Sequence, residues 1–88
     1  MEKYPRREEH VVWKVVGGKG VLLHLESGEY FEVDPVGLSI WERCDGKTPL
    51  EKIAQAVAEK FSEKVERVYQ DLTHFVAGLR RRKLLEVV

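Results

Sequence analysis

Val21-Leu22-Leu23-His24-Leu25-Glu26-Ser27-Gly28-Glu29-Tyr30-Phe31-Glu32-Val33-Asp34-Pro35 is the stretch that decides the fold. Glu26-Ser27-Gly28 is a turn signal between two runs rich in leucine, β-branched and aromatic residues, so Val21 to Leu25 and Glu29 to Val33 read as paired strands. Asp34-Pro35 then switches the chain into helix. The Asp carboxylate accepts hydrogen bonds from free amides of a first turn, and Pro is tolerated there because its missing N–H has no intrahelical partner. Toward the N-terminus, Val11 to Val16 is β-branched or aromatic apart from one Lys. Gly17-Gly18-Lys19-Gly20 behind it is hairpin-turn chemistry, since glycine supplies positive φ angles. The first third is therefore predicted to be a three-stranded antiparallel meander. Residues 1–9 are polar, contain Pro5 and follow neither hydrophobic period, which predicts a flexible tail ordered only if something docks it, with structure beginning near His10.

Toward the C-terminus, helix one is predicted to run to about Arg43, with Val36 and Ile40 at i, i+4 and Asp45-Gly46 as the stop. Thr48-Pro49-Leu50-Glu51 reads as a capping box opening helix two, which carries Leu50, Ile53, Ala54, Val57, Ala58 and Phe61 at helical spacing. Ser62 is placed to cap helix three. There Val65, Val68, Tyr69, Leu72, Phe75, Val76 and Leu79 form one apolar stripe, and the helix ends in Arg80-Arg81-Arg82-Lys83. Leu84 to Val88 fits either a last helical turn or an extended segment. The fold class is α+β, with a three-stranded antiparallel N-terminal sheet followed by three helices in one domain over residues 10–88.

Composition narrows the function. At 88 residues, with 43% apolar and 34% charged, the chain is one globular domain with a thin core, so a surface groove is favoured over an enclosed pocket. Fifteen Lys+Arg balance fifteen Asp+Glu, which argues against binding nucleic acid by phosphate neutralisation. Cys44, the single cysteine, excludes an internal disulfide and a cysteine metal framework, and fits a reducing cytoplasm. No apolar run approaches a signal sequence or a membrane span. His10, His24 and His74 fall on separate elements without a nucleophile, a carboxylate dyad or metal-ligand spacing beside them, so neither catalysis, metal nor cofactor is expected. Arg80 to Lys83 is most simply the cationic complement of a helix C-terminus.

The third strand has one unpaired side unless another element covers it. Such an edge accepts a peptide as an added strand, with backbone bonds giving affinity and neighbouring pockets giving specificity.

The run from Val21 to Glu42, then Asp45-Gly46, Thr48-Pro49-Leu50-Glu51-Lys52-Ile53 and Asp71-Leu72 to Leu79, resembles the PqqD-like family. Its members are the recognition elements of pathways that modify ribosomally made peptides. The resemblance implies a winged-helix-like fold without catalysis of its own, in which the leader of a precursor peptide adds as an antiparallel strand beside helix three. Matched to this chain, the pairing edge is Glu29, Tyr30, Phe31, Glu32, Val33 and Asp34. The helix-three wall comes from Arg67, Val68, Asp71, Leu72 and Phe75, on the flank that also carries His74 and Gly78. The opposite flank, Tyr69, Val76 and Arg80, is an equally open choice. An aromatic pocket is implied among Leu23, Phe31, Val33, Leu72 and Phe75. The chain is expected to act alone, delivering the leader to a leader peptidase or other modifying enzyme, with lasso-peptide clusters the better match and a partner radical enzyme the alternative. A winged-helix DNA-binding protein is a rival reading, disfavoured by the acids Glu63, Glu66 and Asp71 on helix three and by strands that precede the helices. A structural adaptor docking on an enzyme through the same edge is a third.

Overall fold

The computed structural model describes residues 3–88. Its elements are β1 (Pro5–Arg7), β2 (Val11–Val16), β3 (Lys19–His24), β4 (Tyr30–Val33), α1 (Pro35–Glu42), α2 (Leu50–Phe61), α3 (Val65–Arg81) and β5 (Leu85–Val87). The meander is an antiparallel sheet in the order β2-β3-β4. Gly17 and Gly18 hold φ of +57° and +81°, the signature of a tight two-residue turn that fixes Val16 opposite Lys19. Gly20, read from sequence as part of this turn, lies inside β3 for a different reason. A Cβ on Gly20 would come within 2.9 Å of both Leu38 Cδ1 and Val33 Cγ2, so its absence lets α1 settle on the sheet. At the second turn, buried His24 accepts the Glu26 and Ser27 amides on Nδ1, at 3.2 and 3.4 Å.

Asp34 is the N-cap of α1, its Oδ1 accepting the Gly37 amide at 2.7 Å with Pro35 in the first turn. Gly37 through Trp41 are all buried, as suits a helix covered by the sheet on one side and by α2 on the other. Trp41, Ile40, Leu22, Ile53, Leu72, Val57 and Leu84 form the centre of the core.

Two expected caps are replaced. Asp45 accepts the Lys47 and Thr48 amides on Oδ1, at 2.8 and 2.9 Å, and the Thr48 hydroxyl on Oδ2 at 3.1 Å. These bonds, the Lys47 amide foremost, hold the Asp45 carboxyl below its ordinary range. With its hydroxyl drawn to that anion, Thr48 forms no capping box, and Pro49 becomes the N-cap of α2 without a side-chain bond. Ser62 closes α2 in the left-handed region (φ 54°) rather than opening α3, whose N-cap is Lys64.

The N-terminal tail is corrected from Lys3 onward, while residues 1 and 2 lie outside the described residues. β1 pairs antiparallel with β5, from Pro5 opposite Val87 to Arg7 opposite Leu85, and Tyr4 exchanges both backbone bonds with Val88 at 2.9 Å. The tail has its dock, and the undecided C-terminal segment is extended because it supplies that dock. Lys83 (φ 59°) makes the reversal out of α3, with the Leu84 amide returning to the Leu79 carbonyl at 3.0 Å. Arg6 pairs with Glu86 across the ribbon. The Arg7 guanidinium donates to the carbonyls of Trp41 and Glu42, at 3.1 and 2.9 Å, where a cation offsets the negative end of α1. It also stacks 4.9 Å from the Trp13 ring centre, and Trp13 meets Trp41 edge-on at 5.7 Å.

Cys44 is buried, its Sγ donating to the Ile40 carbonyl at 3.2 Å, and burial pushes its thiol pKa up to about 12 against the opposing pull of Arg7. Because the unfolded thiol ionises first, this group's contribution to stability is complete below about pH 9 and declines as pH rises toward 12. A disulfide reagent at pH 8 is expected to label native protein at least about 100-fold more slowly than protein in guanidinium, followed by thiolate release. Gly20→Ala should overpack the α1–sheet contact by about 1–2 kcal/mol and lower Tm by roughly 5–10 °C in a thermal melt.

Candidate functional site

In an antiparallel pair, residues on one strand alternate between bonding their neighbour and pointing their backbone groups away. The His24 amide donates to the Glu29 carbonyl at 2.9 Å, and the register continues with Leu23 opposite Tyr30, Leu22 opposite Phe31, Val21 opposite Glu32 and Gly20 opposite Val33. The bonded pairs are thus Leu22–Phe31 and Gly20–Val33. Tyr30 and Glu32 are left with their N–H and C=O groups directed outward, along an edge that no other strand among the described residues covers. Side chains follow the same period: Val33 is buried and Phe31 half-buried on the face toward the helices, while Tyr30 and Glu32 are exposed on the other.

Helix α3 supplies the opposite wall, and contacts choose its flank. The Phe75 Cε1 atom lies 3.1 Å from where a Cβ on Gly37 would sit, placing Phe75 against the start of α1 immediately after β4. Arg82, just past the helix, stacks its guanidinium 4.7 Å from the Phe31 ring centre. Between these points lies Gly78, where a Cβ would meet only Arg81 Nη2 at 3.9 Å, and Asp71, exposed, lies one turn before Phe75. The flank facing β4 is therefore the one bearing Arg67, Asp71, Phe75 and Gly78. A cavity of about 240 Å³ opens at the Asp71 end, with Val36, Ile40, Val57 and Phe61 as apolar lining and Arg67 and Asp71 at its polar side. Tyr69 lies on the far flank, in a larger depression of about 450 Å³ between α2 and α3 that does not touch the β4 edge.

The expected site residues separate by role. Tyr30, Phe31, Glu32 and Val33 form the strand, with Glu29 and Asp34 at its two ends. Arg67 and Asp71 are exposed and Phe75 is half-buried, so all three present surface. Leu72, fully buried, supports the wall from beneath, whereas Val68, at 5% exposure, lines the cavity at the Asp71 end. Leu23 is misplaced in the expected aromatic pocket, because it pairs with Tyr30 and shares that residue's face, opposite to Phe31. Arg82 was read only as part of a helix-terminal charge run, and nothing in the spacing signals its stacking on Phe31.

His10 and His24 come to one polar depression with Glu8, Glu26, Arg80 and Lys83, but His24 Nδ1 is occupied by the turn amides. Among the described residues, no group of three or more His, Cys, Asp or Glu is arranged to hold a metal ion. Among the described residues, no helix is long and apolar enough to cross a membrane.

The family model for coenzyme PQQ synthesis protein D (PqqD) matches residues 19–85. The chain belongs to the PqqD family. A PqqA binding protein of Rhizobium meliloti (strain 1021) is 38% identical over 73 residues, which are 83% of this chain and 72% of that protein. Among solved structures, TbiB1 in complex with the TbiA(beta) leader peptide superposes with a TM-score of 0.83 at 33% identity, covering 92% of this chain and 94% of TbiB1. The PqqD truncation of Methylobacterium extorquens PqqCD, a stand-alone recognition element for ribosomally synthesised and modified peptides, gives 0.78 at 25% identity over 93% and 87% of the two chains. A lasso peptide synthetase B1 complexed with its leader gives 0.82 over 94% and 98%, and at 18% identity speaks for the fold alone.

The edge geometry distinguishes two prolines. Glu32→Pro removes an outward amide that the sheet does not use and should leave Tm within a few degrees of wild type. Phe31→Pro removes an inward bond together with a half-buried ring, and is expected to lower Tm by at least about 10 °C, read by circular dichroism.

Proposed function

We propose that this chain binds the leader segment of a ribosomally made precursor peptide as an antiparallel strand added to β4, and delivers it to a separate processing enzyme. The observation that carries the reading is the free β4 edge: Tyr30 and Glu32 direct four backbone groups into a groove whose far wall is the Asp71–Phe75 flank of α3. Up to four backbone hydrogen bonds, each worth roughly 0.5–1.5 kcal/mol net, provide affinity that depends little on peptide sequence. Side chains of the added strand that point toward α3 meet Phe31, Phe75 and the groove floor, and these supply discrimination. Binding by one segment leaves the remainder of the precursor free, so the domain acts by raising the local concentration of substrate at its partner.

Within the family, the likeness to TbiB1, solved with a leader peptide, and to a PqqA binding protein supports leader recognition, and the sequence resemblance favours a lasso-type partner, a leader peptidase with its cyclase, over a radical enzyme. In that reading the domain is non-catalytic, needs no cofactor and works in the cytoplasm. A nucleic-acid role has no support in the charge distribution, since Glu63, Glu66 and Asp71 alternate with Lys64 and Arg67 through the approach to α3 and its first turns.

Fluorescence anisotropy tests the reading directly. Two labelled peptides serve as probes: the leader encoded by a short open reading frame beside the gene, and the TbiA(beta) leader. Saturable binding of at least one, absent for its scrambled version and for random duplex DNA, is the expected result. Asp71→Ala should weaken that binding about 3- to 10-fold while moving Tm by less than about 2 °C, because the carboxylate is exposed. Failure of both leaders, or equal binding of scrambled peptide, removes the proposal.

A further inference from the structure

Resting on the reading of β4 as the peptide-pairing edge, we infer that Arg82 is a specificity residue that selects an acidic side chain in the bound peptide, at the position opposite Phe31. The register leads there. A strand that bonds to Tyr30 and Glu32 places one residue between those bonded pairs, directly opposite Phe31 in a non-bonded pair with Cβ atoms about 4.5–5.5 Å apart. Cross-strand partners share a face, so this side chain points with Phe31 toward α3. It meets the Arg82 guanidinium, 4.7 Å from the Phe31 ring centre.

Arg82 is poised rather than already satisfied. Its side chain is exposed and, among the described residues, makes no ion pair or side-chain hydrogen bond; its contact is the aromatic face. The contact with the ring occupies none of the guanidinium N–H donors, which stay available to bind a carboxylate by two parallel bonds. Stacking also limits its rotamers, which reduces the entropy lost when a partner arrives. A second cation lies close by, since Arg81 Nη2 is 3.9 Å from where a Cβ on Gly78 would project. The nearest carboxylate on β4, Glu32, belongs to the other face and pairs with Lys19 at 3.7 Å. Asp71 lies about three turns back along α3, roughly 16 Å by helical rise. This end of the groove is therefore cationic, and the Asp71 end carries the opposing carboxylate.

The measurement is a charge scan of whichever leader binds in the titration above. Each position in turn is made Glu, Gln or Lys, and every peptide is titrated against wild type, Arg82→Gln, Arg82→Lys and Arg82→Glu protein, with melts confirming that each variant is folded. One position is expected to favour Glu over Lys by about 5- to 10-fold on wild type. That preference should fall to within about 2-fold on Arg82→Gln, be partly retained on Arg82→Lys and reverse on Arg82→Glu. A leader that binds wild type normally but shows no position whose charge preference follows residue 82 overturns the inference and leaves strand addition standing. Binding that fails for every leader on wild type removes both together.

Discussion

The hydrogen bond from the Gly37 amide to the Asp34 carboxylate, 2.7 Å long, is the constraint on which the site depends. It ends β4 and starts α1 within one residue, so the edge strand cannot extend and its direction relative to the helices is fixed. Gly37 then lies where no side chain is accommodated comfortably. A Cβ would be 3.1 Å from Phe75 and 3.2 Å from both Val33 and Asp34 itself. That close approach brings the Phe75 flank of α3 beside the end of β4 and sets the width of the groove. Gly20 does the equivalent on the sheet side by letting Leu38 and Val33 meet over the backbone of β3. Strand edge and helix wall are thus positioned by two missing side chains and one cap, all remote from the outward groups of Tyr30 and Glu32.

An uncovered edge is a hazard as well as a site, and the local chemistry manages it. β4 has four residues, too few to template a long mismatched partner, and its solvent face carries Glu32 in an ion pair with Lys19. The other edge, β2, is longer and exposes Val12, Val15 and Val16, but carries Lys14 at its middle. Two-fold pairing of β2 with a second copy centred on that residue sets the two lysines opposite one another, which opposes self-association in that register. The two edges also differ in surroundings. β4 faces a helix across a groove, whereas β2 is tied at its inner face by Trp13 to Trp41 and Arg7.

Much of this was legible in the sequence because it is local. The glycine pair of the hairpin, the Glu26-Ser27-Gly28 turn, the Asp34-Pro35 switch and the helical stripe of Val68, Leu72, Val76 and Leu79 each act within a few residues of where they are written, although Val65 and Tyr69, expected in that stripe, are exposed. What was missed is nonlocal or competitive. β1 and β5 are three residues each and lie about eighty positions apart, so neither carries a readable period, and only their pairing orders them. Thr48 has the composition of a cap, but a carboxylate three residues earlier outcompetes the helix for its hydroxyl. Ser62 was read for its side chain, whereas its backbone at φ 54° decides its role. The choice between flanks of α3 was beyond periodicity, because Asp71 and Tyr69 border the apolar stripe symmetrically; the contact of Phe75 with Gly37 breaks that symmetry.

A thin domain has few ways to recognise an extended partner, and the groove reflects that limit. The slab is about 18 Å across its shortest dimension, so it lacks the depth to enclose a peptide and offers an extended partner only a surface. Strand addition suits such a surface because main-chain bonds need no burial volume, but they read no sequence. Discrimination falls to the side chains that look across from α3. Phe75 and the cavity near Val36 and Ile40 are apolar, Asp71 is acidic, and Arg82 on Phe31 is cationic. Backbone bonds are nearly indifferent to a one-residue slip, but a slip reverses which peptide side chains face α3. In the proposed mode of binding, apolar and charged contacts spaced along the groove would therefore fix register as well as identity, which presenting one segment while leaving the rest of a chain free would require.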